Sequence, residues 1–280
     1  MKLDPLLLNE STYYSPEANR NWFSVSQIKR FMDCEKRAKA ELDGLYQQET
    51  TDALLIGSYV DATLTGDIVQ FRSEHPEIFT RSGEPRAAFR QADELVDRLL
   101  RDDLATRMLR GDHQQILTGF IGGQPFRAKL DCWLDSKAVA DIHRDYPDMS
   151  EMLYADGAIV DLKVMRSFEP GYRDGMGRMN WIEYWRYDLQ LAVYQELKRQ
   201  EIGTKVPCYI LAVTKEKHPN IGLYQIPQPL LDANLEILKG LLPRFAAIKA
   251  GTLEPEGCGD CEWCRKTKVL TCASWEEEWS

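Results

Sequence analysis

Apolar residues at helical spacing mark the first clear element of the chain. Ile28, Phe31, Ala38 and Leu42 form one stripe and predict a continuous helix over 27–43. Ser26 is suited to cap its start and Gly44 to end it. A second helix is expected from near Asp52 through Ile56-Gly57-Ser58-Tyr59-Val60-Asp61. Phe89, Ala92, Val96, Leu99, Leu100 and Leu104 make residues 86–110 strongly amphipathic. After Gly111 the period shortens. Residues 114–121 and 124–134 read as paired strands around the turn Gly122-Gly123. Residues 136–156 are polar and are expected to be an irregular insertion. A buried strand follows over 158–164, then a helix over 181–200 and strands over 207–214 and 220–226. A final helix over 228–250 ends at Gly251.

That order predicts a mixed α/β domain with a central sheet flanked by helices. No linker divides the 280 residues, so one domain is expected. Its parts would be a mainly helical region over 1–110, a core over 111–250 and a cysteine-rich tail over 251–280 that packs back on the N-terminal helix. Hydrophobic residues at 44% and charged residues at 28% exclude wholesale disorder. No apolar run reaches the roughly 18–20 residues that cross a bilayer. The first ten residues do not have the pattern of a signal peptide. The expectation is a soluble, cytoplasmic protein with no membrane partner. The net charge of −9 argues against a protein that coats nucleic acid, but it leaves room for a local basic groove.

Two carboxylates and a lysine carry the candidate chemistry. In Asp161-Leu162-Lys163 the charged residues share one face of a strand, and Leu162 points to the other. Charged groups on an otherwise apolar strand need a cleft and partners. Asp131 ends the neighbouring strand pattern. If the two strands are adjacent, Asp131 and Asp161 can share a divalent ion, with Mg²⁺ or Mn²⁺ suited to hard oxygen ligands. Lys163 would then orient the attacking water and support the developing anion. Downstream, Gln190 and Tyr194 lie at i and i+4 on one helix face.

Six segments in order resemble the PD-(D/E)XK nucleases, in particular their RecB/RecE-like, phage-type exonucleases. They are Ser24-Val25-Ser26 with Cys34-Glu35, Ile56 to Asp61, Lys129-Leu130-Asp131, Ile159 to Lys163, Tyr187 to Tyr194, and the terminal cysteines. The resemblance implies a restriction-endonuclease-like core and metal-dependent cleavage of DNA. Asp131, Asp161 and the Leu162 carbonyl would be metal ligands and Lys163 the catalytic lysine. Gln190 and Tyr194 would contact the DNA end or the scissile phosphate. Asp61 stands where related nucleases have histidine in a Gly-x-x-x-His element, and it is a further candidate ligand. The resemblance also implies action at duplex ends in phage or prophage recombination, a single-strand annealing protein as partner, and room for a homo-oligomer. Two alternatives stand beside it. One is a nuclease module like RecB or the CRISPR-adaptation nucleases that prefers single strands. The other is a non-catalytic DNA-binding or scaffold protein.

Cys258, Cys261, Cys264 and Cys272 crowd the tail in a metal-ligand pattern, and thiolates select zinc or an iron–sulfur cluster. By resemblance to relatives with one early and three late cysteines, a [4Fe–4S] cluster would be held by Cys34, Cys258, Cys261 and Cys264. Cys272 is an alternative to Cys258, and zinc an alternative to the cluster. Cys132 and Cys208 read as core residues.

Overall fold

A computed structural model describes residues 8–47, 51–173 and 175–269. The first helices are α1 (Pro16–Asn21), α2 (Val25–Asp33), α3 (Glu35–Leu42), α4 (Asp52–Thr65), α5 (Ile68–Glu74), α6 (Ala87–Leu100) and α7 (Asp103–Met108). The hairpin β1 (Asp112–Ile121) and β2 (Gln124–Asp135) comes next, then α8 (Ser136–Asp145) and β3 (Gly157–Met165). A small hairpin follows, β4 (Gly171–Arg173) and β5 (Gly177–Met179). The chain closes with α9 (Trp181–Tyr184), α10 (Tyr187–Ile202), β6 (Cys208–Thr214), β7 (Ile221–Gln225), α11 (Gln228–Lys249) and α12 (Glu262–Lys266).

The main sheet runs in the order β1-β2-β3-β6-β7. The β3–β6 pair is parallel and its other pairs are antiparallel. This is the expected mixed sheet, and β3 is its central strand. One face packs on α2, α10 and α11 through residues such as Ile28, Phe31, Leu191, Leu238 and Leu242. The other packs on α4, α6, α7 and α8 through Tyr59, Val60, Leu95, Leu99, Met108 and Val139. Cys132 and Cys208 are fully buried, as expected. Among the described residues, no helix is long and apolar enough to cross a membrane.

Several boundaries differ from the sequence reading. The helix expected over 27–43 is two helices, broken at Cys34, whose backbone is extended (φ −166°, ψ 107°). Cys34 caps α3 by accepting a hydrogen bond at Sγ from the Arg37 amide, 3.4 Å away. The start is capped by Ser24 rather than Ser26. Residues 136–156 are not wholly irregular. Asp135 caps α8 through the Ala138 amide, and Val139 and Ile142 bury one face of it. The helix expected over 181–200 is split at Arg186, which adopts a left-handed backbone (φ 53°). Asp102 likewise starts α7 and divides 86–110.

The described part of the tail returns to the first helices. The Lys36 amide donates to the Glu256 carbonyl at 3.0 Å, and the Glu256 amide to the Glu35 carboxylate at 2.9 Å. Arg244 of α11 clamps Glu35 in a two-pronged ion pair.

Candidate active site

The site forms where the sheet opens around Asp131. The β2–β3 ladder ends at Cys132↔Val160, so Asp131 and Asp161 stand opposite each other just past its last rung. On the other side, the β1–β2 register skips the Gln114–Asp131 position, and Gln114 has a left-handed backbone (φ 55°). The Leu162 amide, freed from the β2 ladder, donates to Asp131 Oδ2 at 2.9 Å. Asp131 therefore holds the splayed strands together by a side chain where the backbone pairing has stopped.

Asp161 is completely buried, while a quarter of the Asp131 side chain is open. Lys163 Nζ lies 2.5 Å from Asp161 Oδ2 and 3.8 Å from Asp131 Oδ2, and also donates to the Leu162 carbonyl at 3.2 Å. Burial and the neighbouring Asp161 push the Asp131 carboxyl well above the usual carboxylate range, against the pull of Lys163. Burial works against the Lys163 ammonium, but Asp161 and Asp131 outweigh it and hold its pKa above the ordinary lysine value. Asp161 Oδ2 is buried and accepts no hydrogen bond of good geometry despite its contact with the ammonium. Two oxygen donors in mutual repulsion, one without a hydrogen bond, fit a hard divalent cation.

Helix α10 supplies the other predicted pair. Gln190 Nε2 donates to Asp161 Oδ1 at 2.8 Å and to the Tyr194 hydroxyl at 3.1 Å. Burial drives the Tyr194 phenol far above its ordinary pKa. Asp61, from α4, reaches the same cleft but accepts a 2.8 Å hydrogen bond from Gln114. Among the described residues, the four cysteines below are the only group of three or more His, Cys, Asp or Glu side chains placed to hold a metal ion together, and Asp61, Asp131 and Asp161 do not form such a group. Asp61, Asp131, Leu162, Lys163, Gln190 and Tyr194 line a cleft of 610 Å³, and Asp161 lies buried behind that lining.

Two cations of the cleft escaped the sequence reading. Lys29 of α2 donates to Gln190 Oε1 at 3.1 Å. Its pKa is lowered to about 7 by burial and by Lys163. Arg127 is 2% exposed, and its Nε and Nη1 have no hydrogen-bond partner. Its Nη2 donates to Asn19 Oδ1, and its guanidinium lies 4.8 Å from the Tyr13 ring centroid. Strand alternation held a signal for it. Arg127, Lys129 and Asp131 share one face of β2, and all three line the cleft.

A family profile described as a PDDEXK-like domain of unknown function matches residues 24–151 and 148–267. The chain belongs to this PDDEXK-like family. The crystal structure of a Eubacterium rectale protein, described as a candidate exonuclease, superposes on it with a TM-score of 0.83 at 35% identity. The match covers 96% of both chains. Among curated proteins there is no match. The fold expected from the sequence resemblance is therefore the fold of this PDDEXK-like protein.

The cysteines converge at the far end of α2. Cys34, Cys258, Cys261 and Cys264 bring their sulfurs within 4.8 Å of one another, with Cys34 3.5 Å from Cys264 and 3.7 Å from Cys261. Such a set can hold a metal. Tetrahedral zinc, with Zn–S near 2.3 Å, places its sulfurs about 3.8 Å apart. A cubane cluster binds each thiolate at a separate iron and spreads them wider. The Cys258 thiol is lowered to about 7. Burial opposes this, but amide hydrogen bonds from Cys261 and Asp260 outweigh it. Burial pushes Cys261 up to about 12. Cys272 lies outside the described residues.

Proposed function

We propose that this protein is a metal-dependent DNA exonuclease. The observation that carries the reading is the meeting of Asp131 and Asp161 across the opened sheet, with Lys163 between them in an accessible cleft. Asp131, Asp161 and the Leu162 carbonyl would hold Mg²⁺ or Mn²⁺. When bound, the ion supplies Lewis acidity to a phosphate oxygen and lowers the pKa of its water.

The remaining work falls to the chain itself. Lys163 stays protonated and offsets negative charge on the phosphate. Gln190 fixes the Asp161 carboxylate, and Lys29 in turn holds the Gln190 amide in that orientation. Tyr194 keeps its proton and stands ready as a hydrogen-bond donor. Asp61 we assign to the outer wall of the site. Arg127 and Lys129 give the cleft a positive flank in a protein of net charge −9.

Action at duplex ends, a role in phage or prophage recombination and a single-strand annealing partner extend this reading. Their support is the sequence resemblance. The fold and the Eubacterium rectale relative favour a nuclease over a scaffold. For the cysteines we propose one zinc ion held by Cys34, Cys258, Cys261 and Cys264 in place of an iron–sulfur cluster, because the sulfurs have the spacing of a single tetrahedral site.

The test is digestion of end-labelled linear DNA and covalently closed circles with Mg²⁺, Mn²⁺ or EDTA. Degradation of linear DNA alone, abolished by EDTA, is expected. Efficient nicking of circles would make the enzyme an endonuclease, and no cleavage with either metal would sink the reading.

A further inference from the structure

Next to the catalytic cleft lies a groove of 440 Å³ lined by Lys29, Tyr172, Arg173, Tyr184, Trp185 and Arg186. Two of its aromatic residues are open to solvent. Tyr172 is 69% exposed and Trp185 51%. Large rings left in water on a closely packed support call for a ligand that covers them.

The support is closely packed. Gly171 packs so closely on Tyr184 that an added Cβ would come within 2.3 Å of that ring, which fixes the β4–β5 hairpin against it. Arg173 donates to the Tyr184 carbonyl at 2.7 Å and lies 5.6 Å from the ring centroid. Trp185 meets Tyr184 edge-on at 5.0 Å. The next residue, Arg186, is held in its left-handed turn by a 2.6 Å ion pair to Asp33. Trp185 thus sits at the α9–α10 break, anchored by its neighbours with about half of its surface open.

The chemistry is that of a single-strand track. Two guanidinium groups, Arg173 and Arg186, and the Lys29 amine line the groove with one carboxylate, Asp33, and that carboxylate is already paired with Arg186. Lys29 also lines the catalytic cleft, so a chain of nucleotides could run from one into the other without leaving the protein. Stacking on an aromatic ring is indifferent to sequence because every base has a π-face, which suits an enzyme that moves along DNA.

We infer that this groove binds single-stranded DNA, with bases stacked on Trp185 and Tyr172, and guides that strand to or from the carboxylate site. The identity of the ligand rests on the DNA nuclease reading. The test uses the full chain without added Mg²⁺ or Mn²⁺, with fluorescence anisotropy of labelled oligothymidylate and of an abasic deoxyribose-phosphate strand of equal length. The parent protein should prefer the base-bearing strand by about fivefold or more, the factor one stacked base supplies. Trp185→Ala and Tyr172→Ala should each shrink that preference, and Trp185→Phe should retain most of it. A merely structural defect would weaken both probes equally and overturn the inference. So would a parent protein that binds both strands alike, or alanine variants that keep the preference. Base-dependent binding without cleavage in Mg²⁺ or Mn²⁺ would sink the catalytic reading and leave the groove standing. Cleavage without base preference would do the reverse.

Discussion

The amide of Leu162 donates to the carboxylate of Asp131 at 2.9 Å, and through that bond the proposed metal ligand also splices two strands. The two duties can be separated by substitution. Asp131→Asn keeps an oxygen for the Leu162 amide and removes the charge. Asp131→Ala removes both. Cleavage should fall about a hundredfold or more in either variant, the usual scale for losing one group that stabilises transition-state charge. The melting temperature should stay near the parent value in Asp131→Asn and drop in Asp131→Ala, since an amide left without its partner costs roughly 1–3 kcal/mol. Cleavage by Asp131→Asn at the parental rate would remove Asp131 from the site.

Arg127 sets stability against function. A buried guanidinium with two unpaired nitrogens is costly to fold, so Arg127→Met should raise the melting temperature even though the Asn19 contact is lost. The same change should weaken DNA binding and flatten its salt dependence, because one cation of the cleft lining is gone. Thermal melts and anisotropy across a salt series check both signs. A lower melting temperature with unchanged DNA binding would make Arg127 a structural residue only.

Lys249, packed behind the cleft residues Gln27 and Arg127, gives a pH signature. Its ammonium donates to the Trp22 carbonyl at 2.6 Å and lies 4.1 Å from the Phe23 ring centroid, and burial lowers its pKa to about 7. The unfolded chain holds that proton up to about pH 10.4. Between those values the unfolded state binds more protons, so this group's contribution to stability rises with pH and is lost as pH falls toward 7. Denaturant titrations of Lys249→Met and the parent from pH 7 to 9 should show the stability of the variant relative to the parent falling with pH. The slope should be at most about 1.4 kcal/mol per pH unit. A pH-independent difference would show an unperturbed lysine.

The cysteine site makes a prediction about composition. Purified protein should carry one zinc per chain and no colour. Cys34→Ser and Cys261→Ser should each lose metal and melt earlier, because both remove ligands of the same ion. Cys132→Ser should keep its metal, since that thiol is buried in β2, away from the four. Brown protein with about four irons per chain would restore the cluster reading. Unchanged metal content in Cys34→Ser would exclude the early cysteine as a ligand.

Much of the proposed site was visible in the sequence because its residues obey simple periods. Asp161 and Lys163 follow the two-residue period of a strand, and Gln190 and Tyr194 the helical i, i+4 step. The breaks were harder to see. The stripe from Ile28 to Leu42 continues across Cys34 without a fault, because apolar spacing does not register that a thiol caps the next helix. Arg186 hides in the same way inside a helical pattern. Arg127 sits at the same strand parity as Asp131, but an arginine in a strand reads as a solvent-facing residue until burial is known. The β4–β5 hairpin has strands of only three residues, too short for any alternation to register.

The break at Cys34 has a mechanical meaning. Helix α2 carries Lys29 on its side and ends at Cys34, five residues on, about 7.5 Å along its axis at 1.5 Å per residue. One end of this short rod is moored to the sulfurs of the tail, and its flank braces the glutamine that steadies Asp161. A chain that stops short of Cys258 would leave the mooring without three of its four sulfurs. The wall of the proposed site is therefore encoded near the start of the chain, while three of the four sulfurs that moor its end are encoded in the last thirty residues.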